Sequence, residues 1–176
     1  MILKDLNKIK YVTLVLLVLV LTILNNCDKT NSDPNKLYSN SFESKNDIID
    51  WDGSALSDIP APLCGDSSLF VSGGCVIPHV TYKLGPFEKE YTLIISFWAK
   101  ALINSGSVRV RLNSYDEKVY DSGINVQIQN TEWEYYESSQ TLTCPANQEI
   151  ILEFSSGGFA PGGMLIDKFE IKEIIK

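Results

Sequence analysis

One histidine, His79, is the only imidazole in the 176-residue chain. That scarcity removes the two-histidine helix of zinc proteases and leaves acid–base catalysis poorly served, and no Ser-His-Asp candidate rises above chance. Cysteine is nearly as sparse. Cys27, Cys64, Cys75 and Cys144 show no C-x-x-C spacing, and no H-x-x-x-H accompanies them, so a structural zinc site has no framework. There is no run of basic residues, and the formal net charge is −7. A duplex or an anionic membrane surface is therefore a poor partner. No segment of about 20 apolar residues, the length needed to span a bilayer, is present. Beyond the first 36 residues no stretch holds a helical period for more than two turns.

The longest apolar run is a short block near the start. Lys4, Lys8 and Lys10 precede Tyr11–Leu24, 14 residues that are apolar but for two threonines. A basic beginning, a short apolar core and a processing site make the pattern of an export signal. Leu24-Asn25-Asn26-Cys27 is similar to the cleavage motif of bacterial lipoproteins, in the looser form found in the Bacteroidetes. The two asparagines depart from the small residues usual there. The expectation is a signal peptide over 1–26 with Cys27 as the lipidated first residue of the mature chain. An uncleaved anchor helix and an ordinary signal remain the alternatives. The lipidated form would sit at the bacterial cell envelope, anchored at the outer membrane or cell surface, and neither alternative keeps the remainder in the cytoplasm. Removing the leader leaves 12 basic and 21 acidic side chains, a net charge of −9. Residues 27–36 are polar and read as a flexible tether, because they offer too little apolar surface to offset the entropy of ordering. Residues 37–176 read as one domain.

Period-two alternation dominates that domain. Leu93, Ile95, Phe97 and Ala99 fall on one face of a strand, with Ser96, Trp98 and Lys100 on the other. Val108, Val110 and Leu112 alternate in the same way with Arg109, Arg111 and Asn113. Such alternation marks half-buried antiparallel strands. The turn residues Asn104–Ser107 between them predict a hairpin. Further strands are expected near 37–42, 68–72, 79–84, 118–120, 124–129, 133–142, 148–154 and 164–172. Many short strands separated by Gly, Pro, Asn and Asp predict an all-β fold, a sandwich or barrel. In an oxidising compartment Cys64 and Cys75 are the favoured disulfide, enclosing ten residues, with Cys144 left as a buried thiol.

The order of motifs resembles the jelly-roll carbohydrate-binding modules related to galactose-binding-like domains. Ser41-Phe42-Glu43 opens it and Trp51 follows in a loop. Gly65–Val71 is similar to a G-x-x-S-L-x-V strand, and Tyr91–Lys100 to Y-x-L-S-F-W-A-K. Trp133-Glu134-Tyr135 and Leu165–Ile171 resemble the W-x-x-Y/F strand and the terminal I-D-D-F/V-x-I. The resemblance implies a jelly-roll β-sandwich of two antiparallel sheets. It also implies a structural calcium held by Glu43 and Asp167, although Lys168 stands where a second acid is common and solvated edge carboxylates are the plainer reading. The implied function is a non-catalytic glycan-binding module. The alternatives are a structural or adhesive subunit contacting another envelope protein and, less favoured, a small tethered hydrolase. If the hairpin forms, Trp98 shares a face with Arg109, Arg111 and Asn113, and Tyr115 lies just beyond them. An indole plane with nearby donors suits a pyranose, and paired arginines suit a carboxylated one. A covering loop over Trp98 and solvated arginines are the competing reading. Trp51 and Trp133 are read as packing residues. The loop 155–163, with Phe159, is a candidate flank of a ligand site.

Overall fold

A computed structural model describes residues 33–62, 65–73, 79–103, 105–113, 119–120, 123–157 and 162–175. The leader, Cys27, Cys64, Cys75, Tyr115 and Phe159 lie outside these residues, and with them the expected lipidation site, disulfide and loop flank.

The described residues form twelve strands: β1 Lys36–Asn40, β2 Ala55–Ser57, β3 Ser68–Ser72, β4 His79–Leu84, β5 Tyr91–Ala101, β6 Gly106–Asn113, β7 Val119–Tyr120, β8 Asn125–Ile128, β9 Glu134–Glu137, β10 Leu142–Cys144, β11 Glu149–Ser156 and β12 Gly163–Glu173. Seven make one sheet, in the order β10-β5-β12-β3-β2, with β1 also on β12 and β9 also on β5. Five make the other, in the order β4-β11-β6-β7, with β8 also on β6. Every pairing among the described strands is antiparallel, so the expected two-sheet sandwich is formed.

The faces follow the alternation. Leu93, Ile95, Phe97 and Ala99 of β5, and Val108 and Val110 of β6, are fully buried between the sheets. A row of rings crosses the interior. Tyr82 stacks on Trp51 (5.0 Å between centroids) and Trp51 on Phe154 (4.8 Å). Phe154 meets Phe169 edge-on (5.2 Å), Phe169 stacks on Phe97 (5.8 Å), and Phe97 stacks on Tyr136 (5.6 Å). Trp51 is therefore a packing residue, only 4% exposed, and its indole N–H donates to the Tyr38 hydroxyl at 3.1 Å.

The pairing of β5 with β6 is a correction. The two strands lie in different sheets and do not pair. The segment between them has other partners: Ala101 N–H donates to Asn130 O, Leu102 N–H to Gly163 O, and Gly157 N–H to Ser105 O. The turn residues thus carry the chain from one sheet to the other rather than folding it back. Two smaller differences follow from local chemistry. The expected strand 133–142 is broken into β9 and β10 at Ser138, whose hydroxyl bonds to Gln140 O. Residues just ahead of β1 also pack on the sandwich: Asn35 O accepts from Glu173 N–H and Asp33 accepts from the Lys172 ammonium.

The ring row predicts a steep mutational contrast. Phe154→Ala should lower unfolding stability by about 3–5 kcal/mol, whereas Ile103→Ala, at a side chain 61% exposed, should change it by less than about 0.5 kcal/mol. Urea unfolding followed by tryptophan fluorescence measures both; equal effects would remove the row from its organising role.

Candidate functional site

The outer face of the five-stranded sheet is built from the alternate residues left over once the core is filled. On β11, Ile150, Leu152 and Phe154 point inward, so Glu153 and Ser155 point out. Register places Glu153 between Arg109 of β6 and Thr81 of β4. Asn125 of β8 stands beyond Arg109, and Asp52 bridges Thr81 on the other side. A second row runs Gln127, Ser107, Ser155, His79. These two rows carry amides, hydroxyls, charges and one imidazole but no Phe, Tyr or Trp ring. At about 4.8 Å per strand the longer row spans close to 20 Å.

Glu153 is the centre of this surface. It is only 4% exposed, although it projects from the outer side of its sheet. Its Oε1 lies 3.4 Å from His79 Nδ1 and 3.9 Å from an Arg109 terminal nitrogen. A carboxylate so enclosed keeps its charge only with cationic or hydrogen-bonding partners, and both are at hand. Beside it the Ser107 and Ser155 hydroxyls are 2.6 Å apart, and Gln127 donates to Asn125 (3.2 Å). At the β4 margin the face opens into a cavity of about 480 Å³ lined by Asp50, Asp52, Thr81, Tyr82 and Lys83. A neighbouring cavity of about 730 Å³ shares Asp50 and Asp52 and extends to Lys45 and Ile49.

The expected ligand set is divided by this architecture. Arg109 belongs to the five-stranded sheet, and β6 also contains Arg111 and Asn113, opposite Ile151 and Glu149 of β11. Trp98 is on β5, in the other sheet, where Asp167 and Tyr135 are its cross-strand partners. The shared face of Trp98 with Arg109, Arg111 and Asn113 does not exist, because β5 and β6 do not pair. Glu153, His79, Thr81 and Asp52 were not anticipated as site residues. A signal for Glu153 was present: Ile150-Ile151-Leu152-Glu153-Phe154 is an apolar strand interrupted by one acid on the side away from the core.

Glu43 and Asp167, by contrast, are brought together. Along one edge of β12 the partner changes, from β3 opposite residues 163–166 to β1 opposite residues 169–172. The chain bulges between the two, and Lys168 takes a φ of 47°. Asp167 stands at that change, fully buried. Its carboxylate accepts the Ala61 N–H at 2.9 Å and the Lys168 N–H at 2.7 Å. Glu43, three residues past β1, accepts the Asp66 N–H at 2.7 Å and the Ser67 N–H at 3.3 Å, just before β3 begins. The Ser67 hydroxyl returns a bond to Glu43 O (3.0 Å). The Glu43 carboxylate occupies the space a side chain at residue 65 would need, and Gly65 has a φ of +50°, so glycine is required there on two counts. Burial, with a smaller push from the Glu43 charge, raises the Asp167 carboxyl to about 6 against the pull of its two N–H donors and Lys168.

Comparison with known proteins gives the fold a context. No family model and no curated protein sequence matches the chain. Among solved structures, it is similar to the xylan-binding domain CBM22-1 of Paenibacillus barcinonensis Xyn10C, with a TM-score of 0.59 and 16% identity, covering 81% of this chain and 96% of that one. It is similar to a xylan-binding domain from CBM 22, formerly called x6b, with a TM-score of 0.56 and 13% identity over 81% of this chain and 99% of that one. The enzymatically active domain of tailspike protein 4 from bacteriophage CBA120 also matches, with a TM-score of 0.57 and 18% identity; there the chain covers 76% of its own length and spans only 20% of the tailspike. At these identities the likeness is one of fold: the chain has the jelly-roll sandwich of carbohydrate-binding modules.

Proposed function

We propose that this domain is a non-catalytic glycan-binding module, carried at the bacterial cell envelope by a lipidated Cys27. The glycan lies across the outer face of the five-stranded sheet. The observation that carries this reading is Glu153, a carboxylate enclosed at the centre of a face made of hydrogen-bonding groups. Sugar hydroxyls are both donors and acceptors. Asp52 accepts from them, Arg109 and His79, positioned by Glu153, donate, and Thr81, Ser107 and Ser155 do either. The cavity at the β4 margin gives room for a chain to leave the face beside Lys83. Two neighbours of this fold are named as xylan-binding, which makes neutral β-linked polysaccharides the first class to test. Cys27 as a lipid anchor rests on the sequence motif.

The reading is non-catalytic because the chemistry of Glu153 is committed. A glycosidase needs two carboxylates flanking the bond, one kept protonated as the acid. Glu153 is held between the Arg109 guanidinium and the His79 imidazole as their partner.

The second part of the proposal concerns calcium. Glu43 and Asp167 are hard oxygen donors in a junction where their charges oppose each other, and among the described residues no group of three His, Cys, Asp or Glu converges. Two carboxylates with backbone carbonyls and hydroxyls are a donor set suited to Ca²⁺ and unsuited to zinc. The ion would fix β1, β3 and β12 where they meet and would not touch the glycan.

Two outcomes are expected. In affinity electrophoresis of the full-length chain through gels containing soluble xylan or mixed-linkage β-glucan, Arg109→Ala and Glu153→Gln should weaken binding about tenfold or more, as expected for lost hydrogen bonds to charged groups of about 1.5–3 kcal/mol. Unchanged retardation in both variants would remove the glycan from this face. For the junction, the raised Asp167 carboxyl favours the protonated form in the fold. In chelator, stability should therefore fall as pH rises from about 4 through about 6 and then level off. Asp167→Asn should abolish that decline. Calcium at about 100 times its Kd should raise the wild-type Tm by roughly 5–10 °C and leave Asp167→Asn unmoved; a wild type indifferent to calcium would exclude the ion.

A further inference from the structure

The aromatic residues that a glycan site ordinarily uses are on the opposite sheet. Trp98 of β5 and Tyr135 of β9 are cross-strand partners on the outer side of the seven-stranded sheet, since their neighbours Phe97 and Tyr136 face the core. Their ring centroids are 5.8 Å apart and the planes meet at 58°, forming a shallow corner. Two residues further along β5, the Lys100 ammonium lies 5.5 Å from the centre of the Trp133 ring. Two residues along a strand is about 7 Å, so Trp98 with Tyr135, and Lys100 with Trp133, form successive steps of one strip. Tyr135 is 50% exposed, and among the described exposed large hydrophobic residues it is the one aromatic.

We propose that this strip is a second glycan-binding surface, for uncharged polysaccharide, on the face of the sandwich opposite Glu153. Its chemistry is that of a sugar platform. The rings of Trp98, Trp133 and Tyr135 offer apolar planes to the C–H faces of pyranoses, and the side chains around them are donors and acceptors. The Tyr135 hydroxyl is directed to Glu137 at 3.4 Å. Charge selects the occupant. Glu132, Glu134 and Glu137 are all exposed along this edge, against the single ammonium of Lys100 beside Trp133. That excess of negative charge repels uronates and sulfated chains and tolerates neutral ones. β9 is held to the sheet through β5.

The proposal is independent of the Glu153 face, and the test separates the two. The full-length chain carrying Arg109→Ala and Glu153→Gln together, with the five-stranded face weakened at both charged positions, is compared with the Arg109→Ala chain in gels containing xylan, mixed-linkage β-glucan, galactomannan or alginate. Residual retardation by at least one neutral polysaccharide and none by alginate is expected. Adding Tyr135→Ala should cut that residual affinity at least fivefold, adding Trp133→Ala should weaken it as well, and Tyr135→Phe should retain it, because the ring and not the hydroxyl does the stacking. Near-ultraviolet circular dichroism of each variant reports whether the fold is kept. No residual binding in the double variant, or residual binding indifferent to Tyr135→Ala, overturns the strip while leaving the Glu153 face standing. A dimer in the wild type that Tyr135→Ala converts to monomer would overturn it in favour of a contact between copies of this chain.

Discussion

The two sheets are held in register by one continuous row of rings, Tyr82, Trp51, Phe154, Phe169, Phe97 and Tyr136, each meeting the next at 4.8–5.8 Å. Sheets in a sandwich attract through buried area, which has no direction and would permit sliding. Interlocked rings remove that freedom, because stacked and edge-on contacts each fix a relative position. Everything functional depends on it. Phe154 is the immediate neighbour of Glu153, and Phe97 of Trp98, so the same contacts that place the core place one member of each outer surface. Trp51 comes from a loop rather than a strand. By standing in the row it also fixes Asp52 against Thr81, which closes the margin of the five-stranded face.

Polar groups are arranged with the same economy. Tyr38, whose hydroxyl receives the Trp51 indole N–H and the Asn40 amide, has its pKa raised, chiefly by burial. Glu43 and Asp167 tie a loop and a bulge to the place where β12 exchanges β3 for β1. Each accepts two backbone N–H groups, which offset part of the desolvation cost of its charge.

The alternation of β5 and β6 was legible because burial on one face and water on the other leaves a period of two in any sequence. Which strand lies beside which was not. Asn104 and Ser105 look the same in a hairpin turn and in a crossover, and the difference lies in Asn130, Gly157 and Gly163, far along the chain. That single ambiguity moved Trp98 to the opposite side of the molecule from Arg109. β2 and the short 3-10 turn Lys45–Ile48 are three and four residues long, below the length at which periodicity can be read. Glu43 and Asp167 were found by resemblance alone; nothing in their local sequence says that residues so far apart meet.

The position of β1 has a mechanical consequence. Lys36, at its start, is opposite Lys172 near the end of β12, and Lys36 and Lys172 both pair with Glu170. A pull on the chain ahead of β1, directed along the strand, strains all the β1–β12 hydrogen bonds together, in shear. It does not open them one after another. A domain held from that side while gripping a polysaccharide would carry load through its strongest geometry, and resistance to drag would come from the direction of one short strand rather than from the size of the core.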